Sequence, residues 1–419
     1  MARKSKVLEE IINLDGLEEK VDDIETLEPD VIFVQKINEN AMMIVDERIS
    51  GYVLHSVESI LLLVIFAIIA KSNTFTEIYI FGCIHFEWLS KYIKFENGMP
   101  SLSTIKRVIS FINPKELETI LIESVKAFND NNKPIYKLGL FEIEDIKTAD
   151  GKTANASSRK TTKNGEVAKM NAMSVYSVKN KICEATEFIE DKTNEISTLP
   201  KLLERINIKN NIIVFDALNT QKETIEYIFN HDGYYVAPIK GNHKILYEEL
   251  NDYFDDLEFY DKVIKENYVK TIEKRNGEAE IREYGFTNDT DWIYNKSEWI
   301  GLKSVGFAKR TYKNSQNKTV SDIRFYISNL SAEHIDIISY SIRGEWAIEN
   351  NLHYFLDTVF NEDSSTAFVQ NTQKNLNIIR KFALALLKNY KEKTKLSMNS
   401  IRFLLNTNFV KEIIKILSV

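Results

Sequence analysis

Three acidic residues stand out by position. Asp216 follows Ile212, Ile213, Val214 and Phe215, an unbroken apolar run that reads as a strand buried on both faces. A charge at the end of such a strand costs desolvation energy unless something compensates it. Asp150 closes the strand-like segment LGLFEIEDIKTAD and opens a small polar loop, GKTANASSRKTTKNGE. Glu349 lies in SIRGEWAIENNLHYFLD, where Glu345, Glu349, His353 and Asp357 recur every four residues and so form a polar stripe on a helix. Hard divalent cations take oxygen ligands. Two of them held together activate an attacking oxygen and stabilise a leaving one in phosphoryl transfer. Two acids on neighbouring strand ends and one on a later helix suit that chemistry. Purely structural explanations compete at each position. Asp216 suits the N-cap of a helix beginning near Thr220, and the 345–357 stripe suits a solvated face with i,i+4 pairing.

The elements that must position these acids follow from periodicity. Residues 53–130 are helical in pattern throughout; Ile60–Ala70 (ILLLVIFAIIA) is too short to cross a bilayer, which takes about 20 residues, and reads as a buried helix. After Gly98-Met99-Pro100, either Ser101 or Ser103 can cap the next helix. From Lys137 the character changes. Two strand candidates, MNAMSVYSV and ICEATEFIE, joined by KNK, suggest a hairpin. A helix (NEISTLPKLLERI), the strand NNIIVFDAL, a helix (TQKETIEYIFNH) and the strand GYYVAPIK follow, an order that indicates an α/β core. Residues 242–330 carry polar alternating segments, as in an antiparallel β insertion. Helical pattern resumes at Ser331 and breaks near Lys391–Lys395.

Composition narrows the class. The 419 residues, 44% hydrophobic and 27% charged, suit two or three packed domains. Cys83 and Cys183 are far apart, which leaves no cysteine zinc site or disulfide framework. With no signal-peptide core after MARKSK, the expectation is a cytoplasmic protein. Residues 1–50 hold six Lys/Arg against thirteen Asp/Glu, the whole of the net charge of −7, and the other 369 residues carry 48 of each sign. Local basic strips therefore remain available to phosphates: Lys152, Arg159, Lys160 and Lys163 in the loop, and Arg380, Lys381, Lys388, Lys391, Lys393 and Lys395 near the C-terminus. Each cluster reads equally well as a solvated loop or helix end.

The words around the three acids go further. Asp150-Gly151-Lys152-Thr153, Val214-Phe215-Asp216-Ala217 and Trp346-Ala347-Ile348-Glu349-Asn350 resemble bacterial insertion-sequence DDE transposases of the H-repeat-associated group. Trp88-Leu89, Asn97-Gly98, Asn194-Glu195-Ile196, Lys240-Gly241-Asn242, Leu352-His353, Leu356-Asp357 and Glu362-Asp363 agree in order. The resemblance implies an RNase H-like core with the β insertion at about 242–330 between the second Asp and the Glu. It implies domains at 1–50 (acidic extension), 51–135 (helical, DNA-binding or accessory) and 136–419 (catalytic). It further implies Mg²⁺-dependent cutting of double-stranded DNA at transposon ends, with Mn²⁺ as a substitute, and joining of the 3′-OH to target DNA by a homodimer. Asp150, Asp216 and Glu349 would be the catalytic metal ligands. Lys152, Arg159, Lys160, Lys240, Asn242, Arg343 and Arg380 would face DNA, with Asn350 and His353 supporting the acids. Glu345 stands where that group carries His or Arg. The alternative is a relative that keeps the fold and binds or regulates DNA without strand transfer.

Overall fold

The computed structural model describes residues 31–46, 48–126, 133–154, 170–189, 195–275, 278–314, 316–364 and 370–417. The chain divides into two compact units. One comprises Met1–Asn129, Ala156–Ala168 and Phe355–Val419; the other comprises Asp130–Asn155 and Lys169–Tyr354.

The first unit is helical among its described residues. In the helix Val57–Ile69 every residue but Glu58 is buried, as an apolar run all round requires. Ser56 Oγ accepts from Ser59 N at its start. Of the two serine caps open to the sequence, Ser101 is the one used: its Oγ accepts from Thr104 N at 3.2 Å, ahead of the helix Leu102–Phe111. The long helix Gln370–Thr394 packs on these and on Pro114–Lys126, and Asn375 Nδ2 donates to the carbonyls of Ile109 and Ile112. It ends at Lys395, whose φ is +57°, where the sequence placed a break. Of the acidic extension, the structure describes the helix Val31–Ala41; residues 1–30 lie outside the described residues. No helix among the described residues is long and apolar enough to cross a membrane.

Among its described residues the second unit has eleven strands: β1 (Tyr136–Leu138), β2 (Phe141–Ile143), β3 (Asp145–Ala154), β4 (Met170–Ser177), β5 (Cys183–Ile189), β6 (Asn211–Phe215), β7 (Tyr234–Ile239), β8 (Tyr268–Arg275), β9 (Glu278–Thr287), β10 (Ser304–Lys313) and β11 (Thr319–Ser328). Nine form one mixed sheet, ordered β5-β4-β3-β6-β7-β11-β10-β9-β8. β3, β6 and β7 are parallel neighbours, and the remaining pairs are antiparallel. The hairpin expected from MNAMSVYSV and ICEATEFIE is β4–β5. Residues 242–330 supply β8–β11, and β11 pairs with β7, so these strands prolong the same sheet. Two helices, Lys244–Asp255 and Leu257–Glu266, precede them; the β alternation had not announced these.

Alternate residues of β6 enter two cores. Ile213 and Phe215 pack with Met173, Leu199 and Phe325; Ile212 and Val214 pack with Ile146, Ile338 and Ile342. The second core seats the helix Ile335–Ile348 against β3 and β6, and Gly344 faces β3 there. A Cβ added there would lie 3.4 Å from Ile146 Cγ2 and 4.0 Å from Thr148 Cγ2. That is room for a methyl group and no more. Gly344→Ala should therefore keep or raise stability, by up to about 1 kcal/mol of helix propensity, and Gly344→Leu should lose roughly 1–3 kcal/mol through overpacking. Urea unfolding of the two variants checks this, and equal stability for both would refute the close packing.

Candidate active site

The pairing of β3 sets the site. Its parallel register with β6 runs from Asp145↔Asn211 to Ala149↔Phe215, so Asp150 and Asp216 are each one residue beyond the last pair, on adjacent strands. β3 itself does not stop at Asp150. It continues to Ala154, with Asp150 opposite Ser174 and Lys152 opposite Ala172 on β4. The polar loop read from Gly151 thus begins later, because β4 continues to supply hydrogen-bond partners on that side. Asp150 sits where β3 has lost β6 and kept β4. Side chains alternate along a strand, so Asp150 shares a face with Ile146 and Thr148, and Asp216 with Ile212 and Val214. Both acids therefore lie on the side covered by the helix Ile335–Ile348.

That helix passes into a π-helical segment, Glu349–His353. In an unbroken α-helix four residues overshoot a turn by about 40°, so a four-residue repeat drifts round the axis. A wider turn corrects that drift, and such turns concentrate at functional sites. Here His353 Nδ1 lies 3.3 Å from Glu349 Oε2 and 3.5 Å from Asp150 Oδ2. One ligand atom each from Asp150, Glu349 and His353 falls within 4.8 Å of the others. His353 is buried, with its side chain 5% exposed, and Glu349 is open at 56%. The stripe is therefore no uniformly solvated face.

Asp216 has a structural duty as well. Its Oδ1 accepts from Asn219 N at 3.1 Å and Asn219 Nδ2 at 2.7 Å, capping the short turn Ala217–Asn219. The cap falls on this turn and not on the helix expected near Thr220, which is Lys222–Asn230 and follows Gln221; Oδ2 makes no hydrogen bond among the described residues. The turn is latched from behind. Asn242 Nδ2 donates to Ala217 O at 2.8 Å, His243 Nε2 lies 2.6 Å from Thr220 O, and Thr220 Oγ1 donates to Pro238 O. Asn242, expected at DNA, thus holds the loop that carries Asp216.

Charge is crowded here. Burial first, then Asp216, Glu349 and Glu195, push the Asp150 carboxyl up to about 7, against the opposing pull of the Gly151 N–H. Glu195, which the sequence does not single out as a site residue, joins the cluster through the fold: its carboxylate lies against Gly151, where a Cβ would meet Oε1 at 2.9 Å. Glu345 is pulled inward: burial raises its carboxyl, Asp216 adds to this, and Arg324, Lys240 and a Tyr326 hydrogen bond oppose it. Its Oε2 is buried without a hydrogen-bond partner.

The remaining sequence candidates scatter. Arg343 pairs with Glu273 on β8 at 2.5 Å. Lys240 is exposed. Lys152 is half-buried on β3. Asn350 Nδ2 donates back to Trp346 O. Arg380 is buried in the first unit, 3.7 Å from Glu362, and Lys381 and Lys388 are buried too. A buried guanidinium beside a carboxylate faces neither solvent nor a phosphate backbone, and the burial of Lys381 and Lys388 likewise corrects the solvated helix end that was one of the two sequence readings there. Arg159, Lys160 and Lys163 lie outside the described residues. Beyond Glu349 and Asn350 opens a groove of 470 Å³, whose walls include Arg282, Lys309, Arg310 and Arg324 from the β9–β11 strands. The sequence reading named none of these four. Arg310 and Arg282 share Glu280, and Arg324 lies over the Trp346 ring at 5.9 Å.

The charge crowding has a pH signature. A folded-state carboxyl raised from 3.8 to about 7 makes the folded protein bind more protons than the unfolded chain between those values, so stability falls as pH rises through that window. In metal-free protein, the stability of Asp150→Asn relative to wild type should therefore increase from pH 4 to pH 8. Asp145, pushed up to about 6 by burial, contributes the same slope to both proteins. Thermal unfolding across that range is the measurement, and a difference that stays flat with pH would contradict the crowding.

Comparison with known proteins places this architecture. A family model described as "Transposase DDE domain" matches residues 144–386, and one described as "DDE_Tnp_1-associated" matches residues 42–124. "Putative transposase YncI" of Escherichia coli O157:H7 is 31% identical over 91% of this chain and 95% of its own length. "H repeat-associated putative transposase YhhI" of Escherichia coli K12 is 30% identical over 85% of this chain and 92% of its own. The cryo-EM structure of a piggyBac transposase synaptic complex with hairpin DNA aligns over 92% of this chain and 76% of that chain at TM-score 0.38 and 9% identity, too slight a likeness to argue from. Asp150, Asp216 and Glu349 all fall inside the larger match, and the chain belongs to the Transposase DDE domain family.

Proposed function

We propose that this protein is an active transposase that cuts double-stranded DNA at insertion-sequence ends and joins the freed 3′-OH to target DNA. The observation that carries the reading is the convergence of Asp150, Asp216 and Glu349 on one side of the sheet, from two adjacent strand ends and a packed helix. The order β5-β4-β3-β6-β7, an antiparallel hairpin continued by parallel strands, supports an RNase H-like core. On this reading residues 136–419 are the catalytic domain, 51–135 the helical accessory domain and 1–50 an acidic extension. The protein works in the cytoplasm as a homodimer, which two synapsed ends require.

The donor set fits a divalent cation. Carboxylates crowded enough to raise a neighbour's proton affinity gain from a positive charge between them. Mg²⁺, or Mn²⁺ in its place, held by Asp150, Asp216 and Glu349 supplies activation of the attacking oxygen and stabilisation of the leaving one. The chain's own residues do the positioning. Asn219 turns Asp216 Oδ1 away and leaves Oδ2 for the site. Asn242 and His243 fix the turn behind it. The groove's Arg282, Lys309, Arg310 and Arg324 lead to Glu349, and their charge suits the phosphates of a DNA strand. Arg343, paired with Glu273, lines the same groove, and on this reading Lys240, Lys152, Arg159 and Lys160 also face DNA.

A relative that binds DNA without strand transfer is favoured by one observation: Glu345, in a position basic in the family, counters Arg324 and Lys240. Strand transfer on a labelled duplex of the flanking end sequence, with Mg²⁺, separates the two readings. Glu349→Ala should lower product by about a thousandfold or more, the equivalent of several kcal/mol of lost transition-state stabilisation, while binding the duplex as wild type does. Equal product from both proteins would remove Glu349 from catalysis. No product from either would establish the binding-only reading.

A further inference from the structure

We propose that His353 is itself a metal ligand, binding through Nδ1 beside Asp150 and Glu349, which makes this a mixed nitrogen–oxygen site. The inference rests on the metal-dependent reading above and adds to it a ligand of a different chemical kind. Bonds of about 2.1 Å place adjacent donors of an octahedral ion about 3 Å apart. Nδ1 is 3.3 Å from the Glu349 oxygen and 3.5 Å from the Asp150 oxygen, so a small inward movement completes that spacing. The three residues are the ones among the described residues whose ligand atoms all fall within 4.8 Å of one another.

Two features make the imidazole's place more than a chance approach. His353 is buried, 4% exposed, so its ring is held by packing and does not sweep through solvent. The π-helical turn spans Glu349 to His353 and no more, and it keeps the second ligand residue in line with the first. Asp216, with one oxygen committed to Asn219, has a single oxygen left to give, and His353 supplies a further donor. An imidazole nitrogen suits first-row transition ions better than Mg²⁺, which prefers oxygen alone. The site should therefore bind Mn²⁺ more tightly than an all-carboxylate set would, with a smaller change for Mg²⁺.

Full-length protein without DNA is titrated with Mn²⁺ and separately with Mg²⁺ by calorimetry, and the Mn²⁺ complex is examined by pulsed EPR for coupling to nitrogen. Wild type should show imidazole nitrogen coupling. His353→Ala should lose it and bind Mn²⁺ at least about tenfold more weakly, with Mg²⁺ affinity altered less. The wild-type spectrum needs no variant to fold, and His353→Asn provides a second, polar replacement. Asp150→Asn tests the underlying reading. If it abolishes Mn²⁺ binding while wild type shows no nitrogen coupling and His353→Ala binds normally, His353 is no ligand and the carboxylate site stands. If wild type binds no Mn²⁺, or Asp150→Asn binds as wild type does, both inferences fall.

Discussion

Like charges that have to share a small, partly dry space are the constraint on which this molecule turns. Asp150 and Asp216 are brought side by side by the parallel register of β3 and β6, and Glu349 follows a helix whose Ile335, Ile337, Ile338 and Ile342 belong to the core. Each carboxylate disfavours the charge of the next, and burial adds to the cost. A protein that keeps such a cluster sacrifices stability for it. The cost is tolerable because the surrounding sheet is nine strands wide and buried on both faces around β6, where each fully buried aliphatic or aromatic side chain contributes about 1.5–3 kcal/mol.

The supports of the cluster are arranged in depth. Gly344 lets the covering helix approach β3 closely enough for the next turn to reach Asp150. The π-helical segment directs Glu349 and His353 together. Asn219 fixes one oxygen of Asp216, and Asn242 and His243 fix the turn to which Asn219 belongs. A reacting group misplaced by about 1 Å can cost two orders of magnitude in rate, which is the physical reason for so many hydrogen bonds behind a single carboxylate. Several polar residues near a site of this kind serve geometry without touching a substrate.

Net charge is a poor guide to where a phosphate backbone can lie. The excess of −7 comes from residues 1–50, whereas Arg282, Lys309, Arg310 and Arg324 line the groove beside Glu349. Glu280 holds part of that charge in ion pairs with Arg282 and Arg310. Such pairing orders the arginines and lowers the charge free to act at a distance. Glu345 adds to this restraint from within, since its carboxylate faces Arg324, Lys240 and Asp216 in a buried position.

Much of this was legible in the residues. Unbroken apolarity identified β6 and the 57–69 helix, alternation identified the β4–β5 hairpin and the strands within 242–330, and the motif order located Asp150, Asp216 and Glu349. These features are local, set by side-chain periodicity along the chain. What the tertiary structure alone decided is pairwise. Sequence cannot say which strand lies beside β3, and therefore not that it continues past Asp150 to Ala154. It cannot say that Asn242 reaches back to Ala217 across 25 residues, that Glu195 presses on Gly151, or that Arg380 turns inward to Glu362. A basic residue at a helical position is compatible with solvent, phosphate or a buried partner, and only the neighbours brought by folding choose among them. The three acids were visible from the start; the histidine between two of them took its meaning from a wide turn that no periodicity announces.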